Sequence, residues 1–528
     1  MIVDILIRAG ASPILMDAND RTALLISAAH GHTECVAILM AADSDLEAKD
    51  NHGLTALHRA CLHGLDDCVT LLLEGPKSLK DGLAAAVDSV DNQGRTPFHA
   101  AACCGSVECC LALLENHADI NALDYQGRSP LYYAVLRHPE IADMLIEKGA
   151  KVSILDCYGR SMLHYLSYYG NEEMVLSLAT DLPVDCHDNR NADTPLHAAV
   201  SNGQLDTAAV LAELGANVNA QDKFGRTPLF VAVMRGDIDI VGWLLEAGAN
   251  INHKDHRGRT CLHAAAYHNQ VECTLLLLEH GIDVHTLDNK NRSVLHAAAL
   301  SGNVEILQII LFDVDGGTSL LTIADKNGRL AHHLASIAGS YEFLSFLVGR
   351  QLVSVSARDS AGISALHMAA FRGHSNCFAA LLPYGAMVDS CDDMSRTPMH
   401  YAAYKGHLQC VKELLAKGAD PDWEDEYGQT PLHMACSRGS SYAVVRALVD
   451  TGANIHHCDS LGNNALHKAV AAGNNVMIVE YLLTCGCGLS VENNEGKTAQ
   501  DLLPEESIPV RIFLRKYAEL LESKQFSF

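Results

Sequence analysis

The chain of 528 residues is 48% hydrophobic and 19% charged, a balance that excludes a disordered polypeptide. Its 38 Lys and Arg against 64 Asp and Glu leave a formal charge of −26, a field that repels phosphate backbones and anionic lipid and makes nucleic acid and membrane surfaces poor partners. No apolar run approaches the ~18 to 20 residues that span a bilayer, and the start lacks a cleavage signature, so the chain reads as cytoplasmic, with the nucleus as a second compartment, and its 18 Cys as reduced.

The first segment, Ile2-Val3-Asp4-Ile5-Leu6-Ile7-Arg8-Ala9-Gly10-Ala11, has the form of a helix closed by Gly-Ala. Residues 1–20 therefore read as a partial repeat whose first helix would precede Met1, as expected of a fragment or a truncated product. From there a Thr-Pro-Leu-His quartet or a variant begins at Thr22, Thr55, Thr96, Ser129, Ser161, Thr194, Thr227, Thr260, Ser293, Leu330, Ser364, Thr397, Thr430, Asn464 and Thr498. Eight of the fourteen intervals between these starts are 33 residues. Asp lies five residues before thirteen of the fifteen starts, with Asn189 and Asn493 the exceptions; His lies three residues after eleven. Thr or Ser suits a helix N-cap and Pro the first helical position. Gly nine residues on ends a short first helix, and an apolar three-four spacing such as Cys410-Val411-Lys412-Glu413-Leu414-Leu415 marks a second. The Asp-x-x-Gly stretch before each start reads as a turn or short hairpin.

About fourteen repeats fill residues 21–490, with two insertions. One, near 74–90, stretches an interval to 41 and contains Gly75-Pro76-Lys77-Ser78. The other, near 313–322, stretches an interval to 37, contains Asp313-Val314-Asp315-Gly316-Gly317, and precedes Leu330-Ala331-His332-His333, where the Thr cap is missing. Both are expected to be surface loops where coupling between neighbours is weakest. Residues 491–528 read as a capping repeat, because Val510-Arg511-Ile512-Phe513-Leu514-Arg515-Lys516-Tyr517 is amphipathic and charged.

Thr194-Pro195-Leu196-His197-Ala198-Ala199, Thr430-Pro431-Leu432-His433-Met434-Ala435 and the 33-residue period resemble ankyrin repeats over residues 2–521. The resemblance implies an all-α solenoid of helix-turn-helix repeats joined by short β-hairpin loops, as one array over 1–528. It also implies that each regular His hydrogen-bonds near its helix start and to a neighbouring turn. A narrower likeness is carried by Asp50-Asn51-His52-Gly53-Leu54-Thr55-Ala56-Leu57-His58 with Cys61 and Cys68, and by Arg259-Thr260-Cys261-Leu262-His263 with Val271-Glu272-Cys273. These are similar to repeats of the ankyrin-repeat regulatory subunits of protein phosphatase 6. That likeness implies a phosphatase catalytic subunit as partner.

Enzymatic chemistry finds no residue set outside the repeat pattern. The His and Asp recur once per repeat and serve the repeat. Cys35, Cys68, Cys109, Cys273, Cys377 and Cys410 each lie thirteen residues after a start, at an apolar position of the second helix. Cys103-Cys104 with Cys109-Cys110 has the look of half a zinc site, but no second pair completes it. Gly496-Lys497-Thr498 echoes a phosphate-binding loop, yet Val491 stands where that loop needs Gly. No cofactor or metal is expected, and the chain reads as a non-catalytic protein-binding scaffold or regulatory subunit. The rival reading is the ankyrin arm of a larger enzyme, channel or membrane-skeleton adaptor.

The binding surface is sought among aromatic and basic residues at the helix positions that the family directs inward. Tyr125, Tyr133, Tyr158, Tyr165, Tyr168 and Tyr169 form the first group, with Arg137 as a cationic rim. Phe371, Arg372, Tyr401, Tyr404 and Lys405 form the second, with Tyr427 and Arg438 beyond them. Tyr and Arg are common interface anchors.

Overall fold

The repeat grammar is visible atom by atom at Thr194. Its extended backbone and side-chain oxygen cap helix Pro195–Ser201, accepting the His197 backbone N–H. The His197 ring closes the cap from the other side, its Nδ1 accepting the Thr194 N–H at 3.3 Å. That bond assigns the ring proton to Nε2, which donates to the Arg226 carbonyl of the next repeat at 3.1 Å. His58, His99, His263, His296, His367, His400 and His433 repeat the arrangement. One side chain therefore caps its own helix and ties down the following repeat.

A computed structural model describes residues 2–75, 86–437, 441–473 and 475–525. It forms two compact units, Met1–His256 and Arg257–Phe528. Both are built from pairs of short helices, as in Pro228–Arg235 followed by Ile238–Glu246, and Pro398–Lys405 followed by Leu408–Ala416. Within each unit, first helices pack on the first helices of the next repeat, where Ala60, Ala101, Ala199, Ala298, Ala369 and Ala402 are wholly buried. Small side chains permit this close approach, and the larger Leu and Val fill the space beneath. No single repeat has enough apolar surface to do this alone.

The connecting hairpins shrink to tight turns. Asp222 N–H donates to the Arg226 carbonyl, and Gly225 N–H returns to the Asp222 carbonyl. One backbone bond then joins each turn to its predecessor, as Lys223 N–H to the Asn191 carbonyl and Glu426 N–H to the Met394 carbonyl. Among the described residues the only bridges are three isolated ones, Met16 with Thr22, Arg358 with Ser364, and Glu492 with Thr498. The residue two before each start needs φ > 0. Gly usually supplies it, and Asp20, Ala192, Asn291 and Ser395 adopt it where Gly is absent.

Departures from the pattern have local substitutes. Asn189 is bypassed: Asp188 accepts the Asn191 and Asp193 N–H groups instead. Asn493 uses its amide oxygen for the same task toward Glu495 and Lys497. Tyr132, in a His position, carries its hydroxyl to the Arg160 carbonyl at 3.0 Å, so it keeps the link to the next repeat. At Thr498 a carboxylate replaces the imidazole, with Asp501 accepting both the Thr498 N–H and its hydroxyl. Helix Ile508–Gln525 then covers the last repeat with Val510 and Leu514.

The insertion at 313–322 differs from the expected surface loop. The preceding helix loosens into a π-helical turn over Ile309–Asp313, and a 3-10 helix follows over Gly317–Thr322. Ile310, Leu311, Leu320 and Leu321 are buried, so the extra residues bring their own apolar anchors into the stack. Of the insertion at 74–90, residues 76–85 lie outside the described residues. Its far end is tied back by Glu47, which accepts the Ala86 N–H at 2.7 Å.

Candidate protein-binding clefts

The turn Asp organises the surface from which binding is sought. Asp156 accepts the Tyr158 and Arg160 N–H groups on one oxygen and the Arg160 guanidinium on the other. At five starts the residue four positions on is polar and reaches the same carboxylate; at the others it is apolar. Arg59 and Lys468 do so as cations to Asp50 and Asp459. Tyr133, Tyr165 and Tyr401 do so as hydroxyl donors, to Asp124 at 2.7 Å, Asp156 at 2.8 Å and Asp392 at 2.6 Å. At Asp50, Asp91, Asp124, Asp288 and Asp459 burial pushes the carboxyl upward, but these donors outweigh it and the net shift is downward. Burial first, and then the carboxylate, push the Tyr133 and Tyr165 hydroxyls upward and Tyr401 to about 12.

This separates two kinds of tyrosine. Tyr133, Tyr165 and Tyr401 are half-buried, and their rings pack edge-on against the previous repeat's His99, Tyr132 and His367. Their hydroxyls are already engaged. Tyr168 and Tyr169 are exposed, stand edge to face at 5.2 Å, and have no hydroxyl partner among the described residues. They line a cleft of about 400 Å³ with Tyr165, Arg160, Asp188 and Arg190. Tyr158 lies nearby beneath Arg160 at 5.0 Å and Arg190 at 5.8 Å. Tyr125 is 72% exposed over the preceding turn, outside the cleft. Arg137 is exposed and does not line it either; the cations there are Arg160 and Arg190. Arg190 and Asp188 escaped the sequence reading because they come from the following turn, and their position shows only once the repeats stack.

A second cleft, of about 270 Å³, lies between Phe371, Arg396, His400, Tyr401, Tyr404 and Met434. Lys405 Nζ sits 4.5 Å from the Phe371 ring centre and 5.6 Å from that of Tyr404, and the Arg372 guanidinium 6.0 Å from Phe371. Tyr427 is 52% exposed and does not line this cleft. Arg438 lies outside the described residues.

The cysteines behave as small apolar groups. Cys68, Cys109, Cys273, Cys377 and Cys410 are buried in second helices, while Cys35 is half-buried. Burial pushes the Cys109 thiol up to about 11 and those of Cys110, Cys377 and Cys410 to about 12, so few are thiolates at neutral pH. Among the described residues no group of three or more His, Cys, Asp or Glu has the placement to hold a metal ion. No described helix is long and apolar enough to cross a membrane.

A family model for ankyrin repeats, spanning three copies, matches residues 1–81, 77–156, 163–255, 211–288, 229–319, 332–425 and 413–495. The stretch 320–331, between two matches, holds the end of the packed insertion and the Leu330 start. No curated protein matches the sequence.

Proposed function

The chain belongs to the ankyrin-repeat family, and from that premise we propose that it is a non-catalytic scaffold or regulatory subunit that holds partners in the clefts of its first helices. Ankyrin repeats are protein-interaction modules, so protein binding is the function of the fold; the place of binding is our inference. The observation that carries it is the Tyr168–Tyr169 pair, two exposed rings over a cleft, their hydroxyls without a partner among the described residues. Tyr suits this role because it offers a large apolar face and a polar tip at small entropic cost. The test pairs two substitutions. Tyr168→Ala with Tyr169→Ala is expected to weaken partner binding by about 2 kcal/mol or more per true anchor and to leave the thermal midpoint unchanged. Tyr165→Phe, which removes a hydroxyl bonded to Asp156, is expected to lower the midpoint and spare binding. The reverse pattern would reject the cleft.

Among partners we propose a protein phosphatase catalytic subunit. Its support is the recurring Glu-Cys or Asp-Cys of the second helices, at Glu34-Cys35, Asp67-Cys68, Glu108-Cys109 and Glu272-Cys273. Affinity purification with mass spectrometry tests it. Stoichiometric recovery of such a subunit, lost in the Tyr168→Ala Tyr169→Ala variant, is the expected result; partners without one would dismiss it.

A further inference from the structure

Phe371 carries two cations on one ring. Lys405 lies over it at 4.5 Å and Arg372 at 6.0 Å, and both side chains are otherwise exposed. Neither has a carboxylate within ion-pair distance among the described residues, although the chain holds 64 acids against 38 Lys and Arg. Many other cations of the repeats are taken up by the turn carboxylates, as Arg226 by Asp222 and Arg292 by Asp288. The nearby Asp392 and Asp425 do not serve these two: Asp392 accepts the Tyr401 hydroxyl and Asp425 faces Arg396. Both cations lie within 6.0 Å of one ring centre, so an anion arriving at that ring is attracted by both. Neither cation lines the cleft itself; both stand by its Phe371 ring, and the lining offers apolar surface from Phe371, Tyr401 and Met434 along with Arg396, His400 and Tyr404.

We propose that this cleft receives an acidic segment of a partner protein. A Glu or Asp carboxylate seats between Lys405 and Arg372, and a neighbouring Leu or aromatic side chain packs on Phe371 and Met434. Charge complementarity selects the occupant: carboxylates of an extended peptide reach two isolated cations, whereas a nucleic acid strand would bring many phosphates toward a chain of −26. The inference rests on the scaffold reading but uses a different cleft, in the second unit, beside which Lys405 and Arg372 lack, among the described residues, the acidic neighbours that Arg160 and Arg190 have in the Tyr168–Tyr169 cleft.

The test uses the full chain and a short fluorescent peptide of alternating Glu and Leu, with its Gln-Leu counterpart as control. Fluorescence anisotropy is expected to show saturable binding of the Glu peptide that weakens with added salt, and binding of the Gln peptide weaker by about tenfold or more. R372Q with K405Q is expected to cost the Glu peptide about tenfold and leave the Gln peptide unaffected. F371A should weaken both, and Y168A with Y169A neither. Equal binding of the two peptides, or an unchanged affinity in the R372Q K405Q variant of intact thermal midpoint, would overturn the acidic-segment assignment and leave the scaffold reading standing. Absence of any binding by the Glu peptide would overturn it as well, and the scaffold reading would then be judged by the Tyr168–Tyr169 experiment. A single-stranded oligonucleotide that outcompetes the peptide, or dimers that R372Q K405Q dissolves, would assign the cleft to a different occupant.

Discussion

His332 occupies the quartet position that Leu fills in most repeats, and it is fully buried. Neither ring nitrogen has a hydrogen-bond partner among the described residues, and the ring tilts against His333 at 4.2 Å. A buried, unsatisfied polar group costs on the order of 1 to 3 kcal/mol. His332→Leu is therefore expected to raise stability by about that amount, measured by urea unfolding; an unchanged or lower midpoint would show that the imidazole has a partner in solution. In the sequence this segment showed only a missing Thr cap; that His332 is buried and unpaired among the described residues came from the stacking of the repeats. The same limit applied to the tyrosines. Spacing put Tyr165 and Tyr169 on one helix, four residues apart, and the sequence treated them alike. The turn carboxylate of Asp156 claims the Tyr165 hydroxyl, and among the described residues nothing comparable reaches Tyr169.

Among the elements, the insertion near residue 317 shows how a break in the period is absorbed. Extra length was legible as an interval of 37, but its outcome depended on whether the added residues had somewhere to go. Leu320 and Leu321 are buried, and their 3-10 helix packs on the π-helical turn at Ile309–Asp313. Gly317 is the contact point: a Cβ there would collide with the Ile310 carbonyl oxygen. Gly317→Ala is expected to destabilise the second unit by about 1 to 3 kcal/mol, the usual cost of overpacking. Chemical denaturation of that variant checks the packing, since an exposed loop would accept Ala without loss. Limited proteolysis should likewise leave 317–322 as resistant as a regular repeat.

For the whole molecule, the many cap histidines make pH the natural stress. Burial pushes their rings downward from the ordinary 6.5, to about 4 at His367 and His433, against the opposing pull of the carbonyls they face. Protonation would also place a proton on Nδ1, where the backbone N–H of the cap residue already points. The folded state thus holds fewer protons than the unfolded chain between pH 6.5 and 4. Stability is full above about pH 6.5 and is lost as pH falls toward 4, by on the order of 1 to 3 kcal/mol for each of His367 and His433, with the other cap histidines acting in the same direction. The turn carboxylates, shifted downward, add a further loss below about 4. With net stabilities of roughly 5 to 15 kcal/mol for a domain, the expectation is cooperative unfolding on the way from pH 6.5 to 4. Circular dichroism across that range checks it; a thermal midpoint that is flat from 6.5 to 4 would contradict the assigned Nε2–H tautomer. His367→Gln should reduce the slope of the curve, because it removes one titrating group.

Sequence alone determined the repeat. A 33-residue period, a cap residue, a buried His and an Asp turn are local features, and each copy needs only its neighbour to complete it. Fold class, helix order and the burial of Cys68, Cys109, Cys273, Cys377 and Cys410 followed from that period. Tertiary structure decided everything that joins residues from different copies. It set Arg190 and Asp188 beside Tyr169, packed the rings of Tyr133, Tyr165 and Tyr401 against His99, Tyr132 and His367 of the previous repeats, and brought Lys405 onto Phe371 beside Arg372. The reason is physical. The period fixes which face of a helix a residue occupies, but the charge and hydrogen-bond partners it meets there are contributed by adjacent repeats whose variable positions follow no period.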